Sequence, residues 1–190
     1  MDRFILNTAD SVLILIDVQT NLAAAMKKEI YQTTEKNINL LITACKTLGV
    51  PMIMTEQYRK GLGPTVKSLQ DNLGPLFQPL EKLSFSCCAN SAFQTSLEKL
   101  KKKYCLIAGI ESHVCVLQTA LDLVRQGYYV HVVSDAVCSR FRNDWQQTLD
   151  LLRQAGAVVS TTEIAVFQLL KEAGTADFKA ISPLFKNRER

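Results

Sequence analysis

The chain has 190 residues, 47% of them hydrophobic and 21% charged with mixed sign, which suits one folded domain with a two-faced core and excludes a disordered chain. A formal net charge of +4 is too mild to call for a nucleic-acid partner, and no apolar run is long enough to span a bilayer. Met1 to Thr8 carries two charges and reads as no export signal, so the six cysteines are expected as free thiols in a reducing, cytoplasmic compartment.

The first apolar run, Val12-Leu13-Ile14-Leu15-Ile16, lacks strict alternation and ends on Asp17, as a strand buried on both faces does. Thr33 to Leu48 reads as a helix with Ile38, Leu41, Ile42 and Cys45 on its apolar side, stopped by Gly49. Pro51 to Thr55 is a second strand, and Glu56 to Pro64 a loop by its glycines and proline. Thr65 to Asp71 reads as a short helix, Gly74-Pro75 as a break, Leu80 to Phe85 as a weak strand and Ser91 to Lys101 as a helix. Tyr104 to Ala108 is a strong strand ended by Gly109, and Val114 to Gln126 is a helix stopped by Gly127. The chain then gives a strand at Tyr128 to Val133 closing on Asp135, a helix at Asp144 to Gln154, a strand at Ala157 to Ser160 and a helix at Glu163 to Glu172.

This alternation predicts right-handed βαβ units. The expected fold is α/β, a three-layer α/β/α Rossmann-like sandwich on a six-stranded parallel sheet, formed by residues 1–190 as one domain. Two basic groups stand out. Lys99, Lys101, Lys102 and Lys103 read as a solvated helix end or an anion-binding patch, and Lys186, Arg188 and Arg190 as a solvated tail. No Gly-x-Gly-x-x-Gly run opens a helix and no Walker loop is present, which argues against a dinucleotide or nucleotide cofactor.

In such sheets ligands bind beyond the carboxyl ends of the strands, where strand order reverses. Reactive side chains at strand ends are therefore the candidates. Cys115 lies where a helix begins, so unpaired N–H groups there favour a thiolate, although a buried inert thiol fits the same position. Asp17 is costly at the end of so apolar a strand unless it is paired or used, and it reads as a proton acceptor for Cys115 or as a cap. Lys82, between Leu80, Leu83 and Phe85, reads as a partner that keeps Asp17 charged or as a solvated lysine. His113 sits two residues from Cys115, an offset that turns the two apart on a helix, and His131 lies inside a strand. With two histidines and no CxxC spacing, no zinc site is expected.

Taken together, Leu15-Ile16-Asp17-Val18-Gln19, Lys82-Leu83-Ser84-Phe85-Ser86, Gly109-Ile110-Glu111-Ser112-His113-Val114-Cys115-Val116 and Ser134-Asp135-Ala136 resemble the isochorismatase-like hydrolase superfamily. The motifs keep the family's order over nearly the whole chain. The resemblance implies a catalytic triad of Asp17, Lys82 and Cys115, and a cis peptide at Ile110-Glu111. That turn would aim the backbone N–H groups of Glu111 and Cys115 at one oxyanion. It also implies a homo-oligomer. The segment Thr55-Glu56-Gln57-Tyr58-Arg59-Lys60-Gly61-Leu62-Gly63-Pro64-Thr65 is similar to the isochorismatase domain-containing branch, and Gln57, Tyr58 and Phe85 are placed as substrate-pocket residues.

Two departures matter. The Asp-x-His metal motif of nicotinamidases is missing after the second strand, so no catalytic metal is expected. Glu111 stands where many relatives carry a small or neutral residue, and its carboxylate is expected to point away from the thiol, toward a basic group or a neighbouring subunit. The function expected is a cysteine hydrolase of small amide-like substrates. Vinyl-ether hydrolysis and a catalytically silent interaction module are the alternatives. A redox role for Cys87-Cys88 is disfavoured, because adjacent cysteines rarely meet disulfide geometry.

Overall fold

The computed structural model describes residues 1–186, so Arg188 and Arg190 of the C-terminal basic group lie outside the described residues. Its elements in chain order are β1 (Ser11–Ile16), α1 (Thr20–Ala24), α2 (Lys28–Leu48), β2 (Met52–Gln57), α3 (Arg59–Leu62), α4 (Lys67–Leu73), β3 (Leu80–Lys82), α5 (Ser91–Leu100) and β4 (Tyr104–Ile110). A single π turn (Ser112–Val116) then leads into α6 (Leu117–Arg125), followed by β5 (Tyr129–Cys138), α7 (Arg142–Gln154), β6 (Val158–Ser160), α8 (Thr162–Leu170) and α9 (Ala176–Ile181).

The six strands form one all-parallel sheet in the order β3-β2-β1-β4-β5-β6. Every residue of β1 is buried, which explains its unbroken apolar run. Its side chains alternate between two cores. Leu13 and Leu15 pack under α2, α4, α8 and α9, while Val12, Ile14 and Ile16 pack under α5, α6 and α7. The chain lays β2 and β3 on one side of β1 and then returns to lay β4 on the other. Strand order therefore reverses between β1 and β4, whose carboxyl ends frame the expected site.

Several boundaries differ from the sequence expectation, each for a local reason. Glu56 and Gln57 belong to β2 and pair with Glu81 and Lys82. A buried carboxylate is tolerated there because the Thr65 N–H and hydroxyl donate to Glu56 at 2.7 and 2.8 Å and Arg59 pairs with it at 3.0 Å. β3 stops at Lys82 because the chain turns back, bringing the Ser84 and Phe85 carbonyls onto the lysine ammonium. β4 runs through Gly109 rather than ending there, and a register shift lets β5 continue past Asp135 to Cys138. The helix expected from Thr33 starts at Lys28, while α1, α3 and α9 are too short to give a periodic signal. Among the basic cluster, Lys102 donates to the Ala9 carbonyl and Lys103 sits 4.4 Å from the centre of the Tyr129 ring.

Gly109 is the tightest point of the sheet. It pairs with Ile16 at φ +134°, and a Cβ there would lie 2.1 Å from the Ile16 carbonyl oxygen. Gly127 has a φ of +88° but open space around it. Gly109→Ala is expected to cost about 3 kcal/mol or more, and Gly127→Ala about 1 kcal/mol. Urea denaturation of both variants checks this, and equal losses would remove the close-approach argument.

The core also holds thiols. Burial pushes Cys45 up to about 12 and Cys87 and Cys138 up to about 11, and it raises Cys105 as well. The folded chain thus keeps protons that the unfolded chain releases near pH 8.5, so stability is full below that value and falls as pH rises above it. Each such thiol adds about 1.4 kcal/mol of loss per pH unit. Urea midpoints under reducing conditions should fall between about pH 7.5 and about pH 9.5, and a flat profile would contradict the assignment.

Candidate active site

Asp17 follows the last residue of β1 with a φ of +52°, a left-handed turn that swings its carboxylate across the ends of the neighbouring strands. It is fully buried. Its two oxygens are separately held: Thr55 Oγ1 donates to Oδ1 at 2.7 Å, and Lys82 Nζ donates to Oδ2 at 2.6 Å. Lys82 is itself 3% exposed, and its ammonium is saturated by three further acceptors. These are Gln57 Oε1 at 2.7 Å and the Phe85 and Ser84 carbonyls at 3.1 and 3.2 Å. Burial opposes the charge on Lys82. The adjacent Asp17 carboxylate, aided by the nearby sulfurs of Cys87 and Cys115, outweighs that and holds the amine above its ordinary value.

Gln57 was expected in a substrate pocket. The structure buries it beside Asp17 and Lys82, where its Nε2 donates to the Leu83 carbonyl at 2.7 Å while its Oε1 accepts from Lys82. Gln19 clamps the same strand end. Its Oε1 accepts from the Gln57 N–H at 2.7 Å, and its Nε2 donates to the Gln57 and Gly63 carbonyls at 3.0 and 2.6 Å. Thr55 and Gln19 had been given no role from sequence. Thr55 pairs with Ile16, next to Asp17, so its place beside the carboxylate follows from strand register. Tyr58 and Phe85 lie at the rim, both about half exposed.

Cys115 stands in the π turn after β4, not on the first turn of an α-helix, since α6 begins two residues later. Its thiol is only 4% exposed and lies within the electrostatic reach of both Asp17 and Lys82. Burial first, and then the Asp17 carboxylate, push its pKa up, with Lys82 acting in the opposite sense. A helix terminus therefore does not set the state of this thiol: burial and the Asp17 carboxylate both oppose the thiolate expected there. The charge balance explains this. One buried cation offsets one anion, and a thiolate beside an ionised Asp17 would be a second.

The Ile110–Glu111 peptide is cis. The Glu111 carboxylate turns away from the thiol, accepting the Arg140 N–H and Nε at 3.1 Å each. His113 is not a partner of Cys115. Its Nδ1 lies 2.9 Å from Ser139 Oγ and its Nε2 lies 3.9 Å from Asp144. Asp135 caps a helix, accepting from the N–H and hydroxyl of Thr162 at 2.8 Å each. The adjacent Cys87 touches Thr55 Oγ1 at 3.7 Å and lies behind Asp17. No cluster of three or more His, Cys, Asp or Glu side chains able to hold a metal ion occurs among the described residues, and no described helix is long and apolar enough to cross a membrane.

Comparison with known proteins places this geometry. The chain is 40% identical to isochorismatase domain-containing protein 2 of Danio rerio over 182 residues, covering 94% of this chain and 88% of that one. Its fold is similar to the solved MAR1 ribonuclease of Caenorhabditis elegans, with a TM-score of 0.88, 36% identity and coverage of 95% and 91% of the two chains. It is also similar in fold to the YcaC gene product of Escherichia coli, described as an octameric hydrolase of unknown specificity, with a TM-score of 0.87, 23% identity and coverage of 96% and 91%. The sequence model of the isochorismatase domain matches residues 11–164, and the chain belongs to the isochorismatase family.

Proposed function

We propose that this chain is a metal-independent cysteine hydrolase that cleaves the C–N bond of a small amide-like compound. The observation that carries the reading is a buried Asp17 carboxylate that Lys82 holds at 2.6 Å, with the buried Cys115 thiol in the field of both. Asp17 takes the thiol proton as sulfur forms a bond to the substrate carbonyl. The N–H groups of Glu111 and Cys115 receive the developing oxyanion. The C–N bond then breaks as Asp17 returns the proton to the leaving nitrogen, which gives a thioester. Water, deprotonated by Asp17, attacks that thioester, and the departing sulfur recovers a proton from Asp17. Throughout, Asp17 is either ionised against Lys82 or protonated while the negative charge sits on the tetrahedral oxyanion, so the buried charge never exceeds one pair. Tyr58 and Phe85 are the rim residues that would meet the substrate.

Vinyl-ether hydrolysis is the nearest rival, since it needs the acid more than a nucleophile. A buried thiol placed in the field of Asp17 and Lys82 favours the amide route. The C. elegans neighbour is described as a ribonuclease, but an RNA phosphodiester would bring a further anion to a buried site whose one cation, Lys82, is already matched by Asp17. The octamer described for the E. coli neighbour supports a homo-oligomer here.

A panel of small amides, carbamoyl compounds and isochorismate tests the reading. Cys115→Ala should lower turnover of an amide by about 10⁴-fold or more. Asp17→Asn should do the same while keeping its melting temperature closer to wild type than Asp17→Ala, which strands a buried ammonium at a cost of about 3–5 kcal/mol. Amide turnover retained in Cys115→Ala would refute the mechanism, and isochorismate turnover alone, unaffected by that change, would favour the rival. The pH profile gives a separate check. Cys115 and Lys82 are both held above their ordinary values, so the alkaline loss of kcat/KM should fall above the ordinary thiol value of about 8.5. An inflection at or below about 8.5 would contradict a thiol held above its ordinary value.

A further inference from the structure

Beyond the C-terminal end of β5, the start of α2 and the start of α7 part around a cavity of about 540 Å³, which none of Asp17, Lys82 and Cys115 lines. Its size is that of a small-molecule site. Its floor is apolar and rigid. Val137 and Thr34 are buried there, and the Trp145 ring is fixed by its Nε1 donating to the Ser134 carbonyl at 3.1 Å. Its walls carry three cations, Lys27, Arg140 and Arg142.

Two of these cations are not neutralised from within. Among the described residues, the side chains of Lys27 and Arg142 have no hydrogen-bond or ion-pair partner. The one carboxylate on the wall, Asp135, accepts from Thr162. Arg140 engages Glu111 through its Nε and backbone N–H, which leaves the two terminal guanidinium nitrogens outside that contact. The first turn of α7, a helix of 13 residues, has no side-chain cap, and its positive dipole end is opposed in part by Asp144 in that turn. With Glu111 matching Arg140 and one carboxylate, Asp135, on the wall, the lining still carries an excess of positive charge that an anion would offset. The threonine hydroxyls on the wall donate back into α2, Thr33 to Glu29 and Thr34 to Ile30, so the donors offered to a ligand are the cations.

We propose that this cavity binds a small organic anion, with its phosphate or carboxylate held by Lys27, Arg140 and Arg142 and its flat apolar body against Trp145. It stands apart from the thiol chemistry and does not depend on it. Trp145 is the only tryptophan in the chain, so its fluorescence reports on this cavity alone. Phenyl phosphate should give a saturable change in that fluorescence. Inorganic phosphate and phenol, each supplying half of the recognition, should bind about tenfold more weakly or worse. Lys27→Ala and Arg142→Ala should each weaken phenyl phosphate by about tenfold, and raised salt should weaken it further. Melting temperatures recorded for each variant, with Arg142→Gln as a second substitution, separate lost binding from lost folding. Phenol binding as well as phenyl phosphate, or unchanged affinity in folded Lys27 and Arg142 variants, would overturn the site. A single-stranded RNA of twelve nucleotides that binds through the same residues while phenyl phosphate does not would overturn the small-ligand assignment.

Discussion

The buried ion pair between Asp17 and Lys82 is the constraint around which the end of the sheet is built. Two charges taken out of water are unfavourable unless every remaining lone pair and proton finds a partner. Here each does. Thr55 takes the second carboxylate oxygen, while Gln57 and the Ser84 and Phe85 carbonyls surround the ammonium. These partners come from β2, from the edge strand β3 and from the turn after it. The pair therefore fixes the ends of three neighbouring strands as one unit. Gln19 extends it by tying β2 to Gly63 in the following segment.

The same pair sets the state of the thiol. A cysteine beside an isolated cation would ionise readily. A cysteine beside a cation already matched by a carboxylate does not, and burial adds to the resistance. Reactivity then depends on Asp17 accepting the proton at the moment of attack, when charge moves from sulfur onto the carbonyl oxygen. The π turn serves this placement. Its wider winding gives Cys115 a different bearing from that of an α-helical first turn, and the close approach of Gly109 to Ile16 sets the distance between the strands that carry Asp17 and the turn.

The fold class and the place of Asp17 were legible because both rest on patterns the sequence displays, whereas Lys82 and Cys115 joined Asp17 as a set only through the resemblance of the ordered motifs. Unbroken apolar runs separated by helical periodicity give a parallel sheet, and a charged residue closing such a run marks a strand end. Thr55 and Gln19 left no comparable mark, since a neutral polar residue at a strand end suits solvent as well as a buried carboxylate. Glu56 misled for a related reason. A glutamate beside two glycines and a proline reads as loop, and only the later Thr65 and Arg59 make it tolerable in a strand. The side-chain fate of Gln57 was hidden because it depends on which way β3 turns after Lys82. The π turn has no periodic signature, so Cys115 read as the head of an α-helix.

Glu111 sits between the two regions discussed, with its backbone beside the thiol and its carboxylate on Arg140. A carboxylate so close to Cys115 would add a second anion to a site that balances one, so its outward rotation belongs to the same charge balance as the resting thiol. Arg140 makes that rotation favourable by offering two donors from one residue. Those donors are its Nε and its backbone N–H, not the guanidinium edge toward the cavity lined by Lys27 and Arg142. The arginine can therefore hold Glu111 away from the sulfur whether or not an anion occupies that cavity. The charge balance at the thiol and the charge excess in the cavity meet at a single side chain and still remain separable.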